Sequence, residues 1–128
     1  MTKNVSTRAA WIAGALVCAL AMLLPAGPAR AAAMHVMESR PTAQAVMDGG
    51  QTAFFVRFDG PVDHAASVLT VLRDGKVVQT LHPRLNSRPN TLYSAVRHLA
   101  PGGYTLHWTT RPMRGSDVSE GDIPFSVR

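Results

Sequence analysis

From residue 52 onward the chain alternates between apolar and polar positions. Thr52, Phe54, Val56 and Phe58 share one face of an extended segment, while Ala53, Phe55 and Arg57 take the other. That period of two marks a strand with one buried side. Asp48-Gly49-Gly50 precedes the run as a turn and Asp59-Gly60-Pro61 ends it. Ser67 to Arg73 is rich in Val and Leu, and Lys76 to Leu81 reads as its return strand. Between them, Asp74-Gly75 suits a tight hairpin because both residue types tolerate positive φ. His82 to Asn90 contains Pro83 and Pro89 and reads as a loop or irregular edge, and Leu92 to Val96 as a further strand. Pro101-Gly102 then breaks the chain, after which Tyr104, Leu106 and Trp108 alternate with Thr105, His107 and Thr109. A tyrosine just past such a corner is placed to bond its hydroxyl back to upstream backbone, a hallmark of β-sandwiches. Ile123 to Val127 closes the chain, and Pro124, which has no ladder donor, predicts an edge position or a strand start. No helical period of useful length and no internal repeat is present. The expected fold is all-β, an immunoglobulin-like Greek-key β-sandwich of about seven strands.

The front of the chain has a different pattern. Lys3 and Arg8 precede an apolar run from Trp11 to Leu24; Pro25, Gly27 and Pro28 break it, and small residues dominate from Ala29 to Ala33. This is the order of a secretory signal peptide, which assigns residues 1–33 to targeting and 34–128 to a single domain. The run is short of the roughly 20 apolar residues of a membrane helix, so no anchor is expected after cleavage. Cuts after Ala31 or after Ala33 both fit. Val17 stands before Cys18 where a lipoprotein site wants a small residue, which argues against lipidation.

Export changes the reading of composition. Of the 13 Lys and Arg, Lys3, Arg8 and Arg30 leave with the signal, so 10 basic face 8 acidic residues. The full-chain charge of +5 is therefore partly a targeting feature. No basic stripe with interleaved aromatics remains, which counts against nucleic-acid binding. The one cysteine, Cys18, also leaves, so burial alone must hold a domain in a compartment that would permit disulfides.

The order of several segments resembles the CopC family of periplasmic copper-resistance proteins. They are the signal peptide, His35 and Ser39-Arg40-Pro41 at the mature start, Phe58-Asp59-Gly60-Pro61-Val62-Asp63, Asp74-Gly75-Lys76-Val77-Val78, and Pro101-Gly102-Gly103-Tyr104-Thr105 through Trp108. The resemblance implies a Greek-key sandwich that binds copper in the periplasm without catalysis; a monomer is expected. It also implies that copper is sequestered or passed to a CopD-type inner-membrane partner. The family's Cu(II) site joins a histidine at the mature N-terminus to an Asp-Gly-His motif in the loop after the tryptophan strand. Here that loop reads Arg114-Gly115-Ser116. A guanidinium stands where a carboxylate would face the dication, and arginine does not deprotonate to become a ligand.

What remains near that place is a softer donor set. The resemblance brings the N-terminal segment to this loop, so Met34, His35 and Met37 are expected near Met113. Thioether sulfur favours Cu(I), and imidazole suits either copper state. On one regular strand His35 and Met37 would share a face and Met34 would point away. The plainer reading makes Met37 and Met113 gap-fillers and Met34 a mobile terminus. A second route needs cleavage after Ala33, which would let the Met34 amine, the His35 amide and its imidazole form a nitrogen chelate suited to Cu(II). His64, His82, His98 and His107 read as surface histidines, since a metal site needs several convergent ligands.

Enzyme motifs are missing: there is no Gly-x-Ser-x-Gly elbow, no His-Glu-x-x-His, no phosphate loop and no exported cysteine. Asp117, Glu120 and Asp122 miss calcium-loop spacing and read as a solvated turn, with Arg111 or Arg114 as ion-pair partners. Two functions remain open. One is a copper-binding protein, with Cu(I) slightly favoured over Cu(II); the other is a metal-free interaction module that works through exposed sheet edges.

Overall fold

Where side chains alternate, the strands form as read. In the computed structural model, which describes residues 33–50, 53–115 and 117–128, Phe54, Val56 and Phe58 are buried while Phe55 and Arg57 are half-buried. The strands are β1 (Val36–Arg40), β2 (Ala45–Met47), β3 (Ala53–Phe58), β4 (Val68–Arg73), β5 (Lys76–Leu81), β6 (Thr91–Ala95), β7 (Gly102–Thr110) and β8 (Ser119–Val127). Two sheets result, one of order β1-β3-β6 and one of order β2-β8-β7-β4-β5. The signal-peptide assignment and the first position of the Thr52 run lie outside the described residues. Among the described residues no helix is long and apolar enough to cross a membrane.

The core is the space between the sheets. Phe54, Val56, Phe58 and Leu92 come from one sheet and meet Leu69, Val71, Leu106, Ile123 and Phe125 from the other. Aromatic contacts tie the layers edge to face: Phe54 to Phe125 with centroids 5.4 Å apart and planes at 83°, and Phe58 to Trp108 at 4.9 Å and 70°. Such contacts add to the burial term because the positive edge of one ring meets the negative face of the next. Asp74 and Gly75 adopt φ values of 52° and 74°, so the hairpin uses the positive-φ turn that its sequence favours.

The corner also forms as read. The Tyr104 hydroxyl donates to the Ala100 carbonyl at 2.6 Å. The guanidinium of Arg73, on the neighbouring strand, lies 5.4 Å from the ring centroid and donates to the same hydroxyl at 3.3 Å. The hydroxyl thus joins the corner to the end of the β4-β5 hairpin.

Three features differ from the sequence reading. There are eight strands, because β1 and β2 pair at sheet edges without burying an alternating face. β8 starts at Ser119 rather than Ile123, since the polar run before Ile123 still pairs with β7, including Trp108 with Gly121. That glycine hides the pattern: a Cβ there would lie 2.6 Å from the Trp108 ring, so the inward position is filled by its neighbour's indole. Pro124 lies in mid-strand, opposite Thr105. Its carbonyl accepts from Gln44 N at 2.7 Å, so its missing N–H also points to the β2 side. There β2 pairs only from Phe125 onward, and no ladder bond is lost.

Tyr104→Phe is expected to lower unfolding stability by about 1–2 kcal/mol, since it removes both the bond to Ala100 and the longer one from Arg73. Gly121→Ala is expected to cost about 1–3 kcal/mol through overpacking against Trp108. Urea denaturation of both variants measures these losses.

Candidate metal centre

The site lies where β3 ends and β1 begins. Asp59, the first residue past β3, accepts from the backbone N–H of His35 at 3.1 Å through Oδ1. Its Oδ2 lies 2.8 Å from the His35 ring nitrogen Nδ1, and its own N–H donates to the His35 carbonyl at 3.0 Å. The N–H of His35 and then its ring hold the Asp59 carboxyl below the ordinary aspartate range. An ionised carboxylate only accepts, so Nδ1 carries a proton, and it is Nε2 that a neutral imidazole leaves as the acceptor. This is the carboxylate–histidine pairing that orients metal-binding imidazoles. The His35 side chain is 71% exposed, so Nε2 has room for a ligand bond.

The flanking methionines diverge. Met34 N donates to Ser119 Oγ at 3.1 Å, and its side chain packs against the core. The loop after β7 is laced to the segment after β3 from the other side: Met113 N donates to the Pro61 carbonyl at 3.2 Å, Asp63 N to the Arg111 carbonyl at 2.8 Å, and Val62 bridges Pro112. The outcome is a cleft of about 440 Å³ lined by Met34, Gly60, Pro61, Pro112, Met113 and Arg114. Met34 and Met113 therefore line one cleft, together with Arg114. Neither His35 nor Met37 lines it. The β1–β3 register shifts between Val36 and Glu38, which leaves Met37 at a bulge, 62% exposed. His35 precedes β1, so the simple alternation that would put His35 and Met37 on one face does not apply.

Among the described residues no three His, Cys, Asp or Glu side chains are grouped to hold a metal ion. His107 comes nearest, with Asp122 Oδ1 2.6 Å from Nδ1 and Glu120 Oε2 3.7 Å from Nε2. These carboxylates approach opposite ring nitrogens and do not converge on one point. Glu120 and Asp122 thus face His107 across the β7–β8 pair, in place of the Arg111 or Arg114 partners expected from the sequence. His64 Nε2 donates to the carbonyls of Arg88 at 3.0 Å and Thr91 at 2.9 Å, a structural role that its sequence context did not signal. Asp59 is the residue that sequence reasoning missed at the site. It was legible only as part of the Asp59-Gly60-Pro61 turn.

A family model described as the CopC domain matches residues 36–128. The fold is similar to that of CopC from Methylosinus trichosporium OB3b, with a TM-score of 0.66 and 24% identity over 73% of this chain and 92% of that one. It is also similar to PcoC, a methionine rich copper resistance protein from Escherichia coli, with a TM-score of 0.57 and 15% identity over 76% of this chain and 100% of that one. No curated protein matches this chain.

The Asp59 shift sets a pH dependence. Its folded-state pKa is depressed, so the tether of His35 to Asp59 is at full strength above the unfolded aspartate value of about 4. It is lost as pH falls through the lower folded value. An NMR titration is expected to show Asp59 protonating below that value and the His35 backbone amide moving with it, while Asp59→Asn removes the coupled transition.

Proposed function

Since this chain belongs to the CopC family, we propose that it is an exported periplasmic protein of copper resistance or homeostasis. On this reading it is a monomer that binds copper without catalysis, and either sequesters it or passes it to a membrane partner of the CopD type. The observation that carries the reading is that Met34 and Met113 line one cleft, while the residue that follows Met34 is an exposed histidine whose Nδ1 is fixed by Asp59.

The donor chemistry favours Cu(I). Two thioethers and one imidazole suit the softer ion, and Arg114 adds a positive charge that weighs more heavily against a dication than a monocation. The nitrogen chelate for Cu(II) needs both Met34 N and the His35 amide. Those groups already donate to Ser119 Oγ and Asp59 Oδ1, and the amide would have to lose its proton. Met37, exposed at the β1 bulge, serves as a spare thioether that reaches the ion only if the N-terminal segment moves.

Copper titration of the protein, with its N-terminus identified by mass spectrometry, tests the proposal under reducing and then oxidising conditions. Stoichiometric binding under reducing conditions is expected, and joint Met34→Leu and Met113→Leu substitution is expected to abolish it. Binding only when oxidised would transfer the assignment to the amine and His35 chelate. No stoichiometric binding in either state would overturn the copper reading and leave the metal-free interaction module. A further expectation concerns Asp59→Asn, which alters the support of His35 and not a ligand. It should weaken copper binding by about 10–100-fold, the usual effect of losing an outer-shell partner.

A further inference from the structure

The outer face of the β1-β3-β6 sheet carries a second feature. β3 and β6 pair Phe55 with Tyr93 and Arg57 with Thr91, so two half-buried aromatic rings form a floor beside a guanidinium. The segment after β5 turns back along the free edge of β6, with Arg84 N donating to the Tyr93 carbonyl at 2.8 Å. These parts enclose an open cleft of about 570 Å³, lined by Phe55, Tyr93 and Thr91 and by the guanidinium-bearing Arg57, Arg84 and Arg88.

Charge in the cleft is unbalanced. Glu38 is its one carboxylate and pairs with Arg57 at 3.0 Å. Among the described residues neither Arg84 nor Arg88 has a carboxylate partner, and Arg57 Nε is shut from solvent with no acceptor. We propose that this cleft docks an acidic segment of a partner protein, its carboxylates on Arg84 and Arg88 and an apolar side chain on Phe55 and Tyr93.

The anion class follows from the cations. All three are arginines, whose planar forks match carboxylates two bonds at a time. Glu38 already places a carboxylate on one of these forks, through a single contact to Arg57. The main chain that carries Arg84 and Arg88 is also held in advance. Arg84 lies over the Tyr93 ring at 5.2 Å, and its carbonyl accepts from Ser87 N at 3.2 Å. The Arg88 carbonyl accepts from Thr91 N at 3.0 Å and from His64 Nε2 at 3.0 Å. A loop fixed before binding loses little conformational freedom on binding. The recess favours a protein segment over a lipid surface, because a flat array of headgroups cannot reach an aromatic floor. The site is independent of copper, so it operates whether or not the metal reading holds.

NMR titration of the isotope-labelled protein with a blocked peptide of alternating Glu and Leu tests this. A Lys and Leu peptide serves as the counterpart, and vesicles of phosphatidylcholine with phosphatidylglycerol as a separate probe. Shifts from the acidic peptide are expected in β3, β6 and residues 84–91, weakening with salt, with none from its basic counterpart. Replacing Arg84 and Arg88 together by Glu should reduce affinity at least about tenfold, while Lys76→Glu, a single charge reversal of the same sign on the other sheet, leaves it intact. Should the double Glu variant fail to fold, the double Gln variant reports the same loss. Shifts confined to other surfaces, undiminished affinity in the double variant, or binding to vesicles without binding to the peptide would each overturn the proposal.

Discussion

The contact of Phe58 with Trp108 determines where the chain can place its chemistry. The rings meet edge to face at 4.9 Å, and the indole has room because Gly121 presents no side chain to it. Phe58 is the last residue of β3 and Trp108 lies two residues before the end of β7. Asp59 therefore emerges from one layer and the loop from Arg111 to Gly115 from the other, at the same end of the sandwich. Backbone bonds from Asp63 to Arg111 and from Met113 to Pro61 then close the two segments on each other. Shrinking either ring would remove packing between the sheets and slacken the frame around the cleft as well.

The parts of the fold written in local chemistry were legible. The Asp74-Gly75 hairpin depends on residues that accept positive φ, the Tyr104 corner on a hydroxyl four residues past its acceptor, and the β3 face on uninterrupted alternation. What escaped the pattern was decided between strands. β1 and β2 are edge strands specified by pairing rather than by a buried stripe. The start of β8 was masked because Gly121 cedes its inward space to an indole from β7. Pro124 fits mid-strand because its carbonyl, and with it the missing donor, points to the side on which β2 has yet to begin.

At the candidate site the methionines drew notice because soft donors stand out in a short sequence; of them, Met34 and Met113 line one cleft and Met37 lies outside it. The partner of His35 was not readable. Asp59 lies 24 positions away in a segment whose glycine and proline advertise only a turn. The arginines on the other sheet escaped for a similar reason. Arg57, Arg84 and Arg88 are scattered along the chain and converge only because residues 82–90 fold back along β6.

β1 is bonded to β3 alone, and Val36, Met37 and Glu38 are all exposed. Its release would expose little apolar surface and leave the two-layer core closed, so this strand belongs to the low-stability end of the molecule's opening motions. His35 leads directly into this five-residue strand, whereas Met34 is bonded to Ser119 of the other sheet and packs on the core. On the proposed reading, a local opening of β1 takes the imidazole from the ion and leaves the two thioethers in place, so the ion loosens without any unfolding of the sandwich.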